Sequence, residues 1–134
     1  MTTSEPTTTS SRSENDGDTI YKLLFYVPQT HTQACLDAVW ATGAGTWPNG
    51  PGHEPGALPK YTDTCFVSTG TGQFKPAAHA DPNIGKPGVV EYVVEDRVEM
   101  VVIGKGTVRW AVDELRRAHP YEVVAYFVIK CDSF

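Results

Sequence analysis

The segment from Val90 to Val102 constrains the fold more than any other part of the chain. Val90, Tyr92, Val94, Val98, Met100 and Val102 share one parity, and Glu91, Glu95, Arg97 and Glu99 occupy the other. A strand turns successive side chains to opposite faces, so this one presents a buried face and a polar face. Asp96 breaks the apolar parity, which predicts a bulge or bend at that point.

The flanking sequence supplies partners for such a strand. Residues Ile20 to Val27 are β-branched, aromatic and mostly apolar, and read as a strand buried on both faces and ended by Pro28. Thr30 and Gln33 have the spacing of a capping box. Ala34, Cys35, Ala38, Val39 and Ala41 follow at helical spacing, and Gly43 suits a C-terminal cap. Residues 45–60 contain four Gly and four Pro, so half of that segment breaks regular structure and it reads as a loop. Strand signals return from Tyr61 to Thr69, and residues 70–88 read as irregular. Beyond the long strand, Gly104 to Thr107 form a break with Thr107 as a candidate N-cap. Val108, Ala111, Val112, Leu115 and Ala118 mark a helical stripe, Pro120 stops it, and Tyr121 to Lys130 reads as a last strand. The order β-α-β-β-α-β predicts an α+β fold, a ferredoxin-like sandwich with an antiparallel sheet and two helices on one face.

Composition narrows the function classes. A length of 134 residues suits one domain. A net charge of -5 counts against binding nucleic acid through its phosphates. No stretch approaches the roughly 18 consecutive apolar residues of a membrane helix. The three cysteines, Cys35, Cys65 and Cys131, form no CxxC pair, which points to a reducing, cytoplasmic setting. Cys65 sits within a strand run and reads as a small buried hydrophobe. Ten of residues 1–19 are Ser or Thr, and that segment reads as a disordered tail ahead of a body at 20–134.

Three motifs occur in order along the body. Gly70-Thr71-Gly72-Gln73-Phe74-Lys75-Pro76 fits GxGxF(R/K)P, Asp81-Pro82-Asn83-Ile84-Gly85-Lys86-Pro87-Gly88 fits (N/D)PxIGxxG, and Ala118-His119-Pro120-Tyr121-Glu122-Val123-Val124-Ala125-Tyr126 fits AHPYExxAY. Glu95-Asp96-Arg97-Val98-Glu99 adds an ExRxE element between the second and the third. The set resembles the PII-like, CutA-like insert domain of the YqfO type, found within the dinuclear-metal fold of the NGG-interacting-factor (Nif3-like) family. The resemblance runs from about Ile20 to Lys130, with residues 46–60 as an insertion. It covers the insert and not the family's metal-binding halves. It therefore implies a stand-alone PII-like binding or regulatory module, without the dinuclear hydrolase activity. A similar fold forms the regulatory domain of long-form ATP phosphoribosyltransferases, whose catalytic domain has no counterpart here.

Several residues are candidates for a site. The Gly70–Pro76 loop reads either as a backbone cradle for a phosphate or as a turn whose Phe74 plugs the core. His119 and Glu122 read either as an imidazole and carboxylate presented at a helix-strand junction or as a plain helix stop. No HxH, HxxxH or CxxC spacing joins His31, His53, His79, His119 and the cysteines. No cofactor is implied, and a divalent metal is left to ligands shared across subunits, as in a CutA-like protein. Two helices cover one side of four strands, and the first and last strands are apolar on both parities. Together with the resemblance, this predicts a homotrimer packed through the open sheet face. The clefts between subunits would be lined by Gly70, Gly72, Phe74, Lys75, Arg97, Glu99, His119, Tyr121 and Glu122. Lys75 and Arg97 there would favour a small anionic ligand. A protein partner remains the alternative, and neither a nucleic acid nor a membrane is expected.

Overall fold

The computed structural model describes residues 17–134. The expected tail therefore lies outside the described residues except at residues 17–19, where the Thr19 carbonyl accepts a hydrogen bond from the Gly104 N–H at 2.8 Å.

Four strands and two helices follow in the predicted order. Strand β1 is Ile20–Pro28, a short 3-10 turn spans Gln29–His31, and helix α1 is Thr32–Trp40. Strands β2 and β3 are Phe66–Phe74 and Glu91–Ile103, helix α2 is Lys105–Ala118, and strand β4 is Tyr126–Lys130. The sheet runs β2-β3-β1-β4, with every neighbour antiparallel. The ferredoxin-like arrangement expected from the sequence is the one observed.

The core lies between the sheet and both helices. Leu23, Phe25 and Val27 of β1 share a face with Val98, Met100 and Val102 of β3 and meet Cys35, Leu36 and Val39 of α1 and Val108, Ala111 and Leu115 of α2. Complete burial of a side chain such as Phe25 contributes roughly 1.5–3 kcal/mol. The opposite face is open. Phe66, Phe127 and Ile129 stand on it more than 45% exposed, around buried Leu24 and Val101.

The local predictions need four corrections. Asp96 makes no bulge, because β3 pairs one-for-one with both neighbours through Val27↔Asp96 and Thr69↔Asp96. Its carboxylate is buried on the helical face and stays in register because three donors satisfy it. Thr32 Oγ1 donates to Oδ2 at 2.7 Å, and Thr69 Oγ1 and Gln29 Nε2 donate to Oδ1 at 2.7 and 3.3 Å. Thr32 is thereby drawn to Asp96, no capping box forms at Thr30, and Gln33 bonds Asp37 instead. Helix α2 starts two residues before Thr107, after Gly104 in a left-handed conformation (φ 89°) that only glycine adopts cheaply. Cys65 is exposed rather than buried: it precedes β2, an edge strand whose own first residues, Phe66 and Val67, are exposed as well.

The Pro/Gly insertion closes at a neck. The Gly45 carbonyl accepts from both the N–H and the Oγ1 of Thr64, at 2.9 and 2.8 Å, while the Gly45 N–H donates to the Val101 carbonyl at 2.7 Å. Farther out, the Trp47 N–H donates to Tyr61 O, and Asn49 bonds Leu58 O and the Lys60 N–H.

Candidate functional site

The glycine motif is not a loop. Gly70 and Gly72 lie inside β2, opposite Glu95 and Val93, and neither has a positive φ. Gly72 serves a different purpose: a Cβ there would overlap the carboxylate of Glu95, which lies across the strand at that point. The motif thus gives a long side chain from β3 room to lie flat.

At the end of β2 the chain folds into a cavity of about 300 Å³ where all three motifs meet. Phe74 and Pro76 come from the first motif, Pro82, Asn83 and Ile84 from the second, and Tyr121 and Glu122 from the third. Tyr26 of β1 and Glu95 of β3 complete the wall facing the sheet. Specific contacts hold these segments together. The Asp81 N–H donates to Glu122 Oε1 at 3.1 Å, the Phe74 and Tyr121 rings lie 6.0 Å apart, and the Gly88 N–H closes the intervening loop on Pro76 O at 2.8 Å.

His119 fixes the third wall. The Tyr121 N–H donates to its Nδ1 at 3.1 Å, so Nδ1 is the acceptor and Nε2 carries the proton, donating to the Tyr26 carbonyl at 2.7 Å. Burial holds the imidazole below its ordinary pKa, the Tyr26 hydrogen bond opposes that, and the charge on His31 adds to it. Both nitrogens are committed to the fold. The turn they fix explains why β4 begins at Tyr126 rather than Tyr121: Tyr121, Glu122 and Val123 line the cavity, Val124 packs against the core, and pairing with β1 resumes only where the Ala125 carbonyl accepts the Tyr26 N–H at 3.1 Å.

Electrostatically the cavity is acidic. Among the described residues, Glu95 and Glu122 are the only charged ones lining it. Burial raises the Glu95 carboxyl above its usual value, with the Tyr121 hydroxyl pulling the other way. Burial likewise raises the Tyr121 phenol, and Glu95 raises it further. The Tyr121 hydroxyl is buried and makes no hydrogen bond of good geometry among the described residues, yet it stands close enough to Glu95 for each group to shift the other.

The predicted site residues divide among three places. Phe74, Tyr121 and Glu122 line this cavity, and His119 braces it from behind. Gly70, Gly72 and Arg97 line an adjoining hollow of about 200 Å³ on the open sheet face, which shares Tyr26 and Glu95 with the cavity. Glu99 lines a third hollow, with Lys22, Trp47 and Phe66. It pairs with Lys22 at 3.0 Å and Arg97 at 2.6 Å, and its carboxyl is lowered, chiefly by the Lys22 hydrogen bond. Lys75 is exposed and lines none of the three. Lys75 and Arg97, on which the anionic-ligand expectation rests, do not line this cavity within one chain; the cleft expected for them lies between subunits.

Sequence reasoning missed Tyr26, Glu95 and Ile84. Glu95 sat on the polar parity of β3 and read as solvated, although its place in the ExRxE element was a signal. Among the described residues, no three His, Cys, Asp or Glu side chains are grouped to hold a metal ion, and no helix is long and apolar enough to cross a membrane.

No family model matches the chain. It is 37% identical over 121 residues to a protein of Halalkalibacterium halodurans named GTP cyclohydrolase 1 type 2 homolog, covering 90% of this chain and 27% of that one. A Bacillus subtilis protein of the same name is 34% identical over 109 residues, covering 81% of this chain and 26% of its own length. The chain thus spans about a quarter of the curated relatives it matches. Among solved structures, a Bacillus cereus protein related to NIF3 superposes with a TM-score of 0.65 at 30% identity, over 87% of this chain and 26% of that one. Divalent ion tolerance protein CutA1 from Ehrlichia chaffeensis gives 0.57 at 11% identity, covering 87% and 85% of the two chains. Bacillus subtilis GlnK gives 0.51 at 14% identity, covering 84% and 85%. The last two share the fold, and with the NIF3-related protein they bear out the PII-like, CutA-like and Nif3-like resemblances.

Proposed function

We propose that this domain is a PII-like ligand-binding module that works as a homo-oligomer, with the cavity at the end of β2 as its site. The observation that carries the reading is the convergence of three sequence motifs on one cavity whose wall includes a buried, unsatisfied tyrosine hydroxyl. A buried polar group without a partner costs about 1–3 kcal/mol, and a ligand that satisfies it recovers that cost. A volume near 300 Å³ with mostly apolar walls and a few polar groups suits a small molecule.

The open sheet face supports self-association. Phe66 on one edge strand and Phe127 and Ile129 on the other are exposed apolar side chains flanking the Lys22–Glu99–Arg97 ion pairs, and a trimer packed through this face would bury them. An exposed free thiol at Cys65 fits a reducing, cytoplasmic location.

Thermal-shift screening of small molecules tests the site. A ligand is expected to raise the melting temperature with its concentration, and Ile84→Trp, which fills the cavity, is expected to abolish the rise. Stabilisation that survives Ile84→Trp would place the site elsewhere. The relatives' name makes GTP one compound to include, with turnover measured beside binding.

A further inference from the structure

We infer that the cavity recognises a small organic cation, an ammonium or guanidinium carried on an apolar body. This rests on the cavity being the binding site, as proposed above.

Three features of the lining lead there. First, its only charged groups are the carboxylates of Glu95 and Glu122, and neither pairs with a basic side chain among the described residues. The one basic group of the adjoining hollow, Arg97, is paired with Glu99 at 2.6 Å. An anion entering the cavity would meet two like charges in a partly desolvated setting, where the repulsion is poorly screened. A cation would form charge-assisted hydrogen bonds with the same oxygens.

Second, the walls include the rings of Tyr26, Phe74 and Tyr121, with the Phe74 and Tyr121 centroids 6.0 Å apart. Aromatic faces attract a cation, and the attraction grows as water is excluded. Pro76, Pro82 and Ile84 supply apolar surface for the rest of the ligand.

Third, Glu95 lies in the cavity wall beside the Tyr121 hydroxyl, with no cation paired to it among the described residues. Its side chain lies across Gly72, in space that the Cβ of any other residue would enter, so glycine at this position leaves the carboxylate room beside the cavity. Burial disfavours its charge, which a bound cation would restore. One oxygen of Glu122 takes the Asp81 N–H, leaving the other for a ligand.

The experiment compares compounds of one shape and different charge. Calorimetric titration would use 2-phenylethylammonium, 2-phenylethanol and phenylacetate, with guanidinium, Mn²⁺ and GTP alongside. The backbone amides of Tyr121 and Glu122 would be followed by NMR to locate binding. The ammonium is expected to bind at least about tenfold tighter than the alcohol, with no binding of phenylacetate. Glu95→Gln is expected to weaken the ammonium about tenfold. Glu122→Gln, at an exposed position, carries the same expectation should the first variant fold poorly. Glu114→Gln on α2, away from the cavity, is expected to change nothing. Equal binding of the alcohol, or no effect of either cavity variant, overturns the cation reading. Tighter binding of phenylacetate or GTP at the same amides overturns it while leaving the cavity as the site. Mn²⁺ binding that needs both glutamates, without binding of either organic cation, replaces it with a metal site. If no compound moves those amides at up to about 10 mM, weaker than ordinary recognition, the site fails as well.

Discussion

Glu95 of β3 occupies the space that a side chain at Gly72 of β2 would take. The two residues are diagonal neighbours across the strand pair, since Gly70 stands opposite Glu95 and Gly72 opposite Val93. The obstructing atoms belong to the far end of a flexible side chain and not to backbone. Gly72→Ala should therefore fold, with stability within about 1 kcal/mol of the parent, because Gly in a strand is itself a weakness. The Glu95 carboxylate must move, so cavity binding should fall several-fold. Urea unfolding and calorimetry on one variant check both halves, and a large stability loss would mean that Glu95 is rigidly placed.

His119 predicts a pH dependence. Its folded pKa lies below the ordinary 6.5, so the unfolded chain binds the proton more readily. Its contribution is fully present above pH 6.5 and is lost as pH falls from there toward the lowered folded value. Glu95, raised from 4.5, acts in the opposite sense, losing stability as pH rises through its folded value. His119→Gln should cost about 1–3 kcal/mol at pH 8, since a buried hydrogen-bonded group is replaced. It should also flatten the stability curve just below pH 6.5. Denaturant midpoints across pH 5–8 measure this, and an unchanged slope in the variant would contradict it.

Asp96 governs a more acidic window. Burial pushes its carboxyl up, but hydrogen bonds from Thr69, Thr32 and Gln29 together outweigh burial and hold it below 3.8. Its contribution is present above pH 3.8 and is lost as pH falls through the lowered folded value. Asp96→Asn places an amide N–H₂ against hydroxyl donors and should destabilise by about 1–3 kcal/mol at pH 7. Thermal melts of the variant and of Thr32→Ala, expected to cost about 1 kcal/mol, test the network.

The thiols should separate by reactivity. Burial pushes the Cys35 thiol up to about 11; burial also raises Cys65, but that thiol is exposed and open to reagent. A disulfide reagent at pH 8 should modify Cys65 quickly and leave Cys35 intact until the protein is denatured. Mass spectrometry of the modified peptides reads the order, and early labelling of Cys35 would show that the α1 side of the core opens.

Self-association has its own test. Light scattering behind a sizing column should give about three times the 14.6 kDa chain mass, and Phe127→Glu on the open face should shift it toward one. A parent mass near 14.6 kDa would reject the trimer.

The fold was largely legible because hydrophobic periodicity reports which face is buried, and β1, β3 and α2 carry strong patterns. Glycine misled. Read as a breaker, Gly70 and Gly72 suggested a turn, but a glycine also serves where a neighbour's side chain needs its volume, and that neighbour belongs to another strand. Tyr121 to Ala125 misled in the other direction. Their apolar character suits a strand, yet a histidine at the preceding turn holds Tyr121, Glu122 and Val123 to a cavity while Val124 packs on the core. The cavity walls could be anticipated from three ordered motifs. The role of Glu95 could not, because alternation assigns a face and says nothing of what else stands there.

The neck at Gly45 and Thr64 separates what happens in the insertion from what happens in the sheet. The residues between them can lengthen, shorten or change sequence while the same short hydrogen bonds join the same two positions. Closing a longer loop adds only about 0.6 kcal/mol per doubling of its length. The insertion is thus an interchangeable cassette: a foreign peptide grafted between Trp47 and Lys60 would ride on an unaltered scaffold, and natural variation can accumulate there without reaching the core.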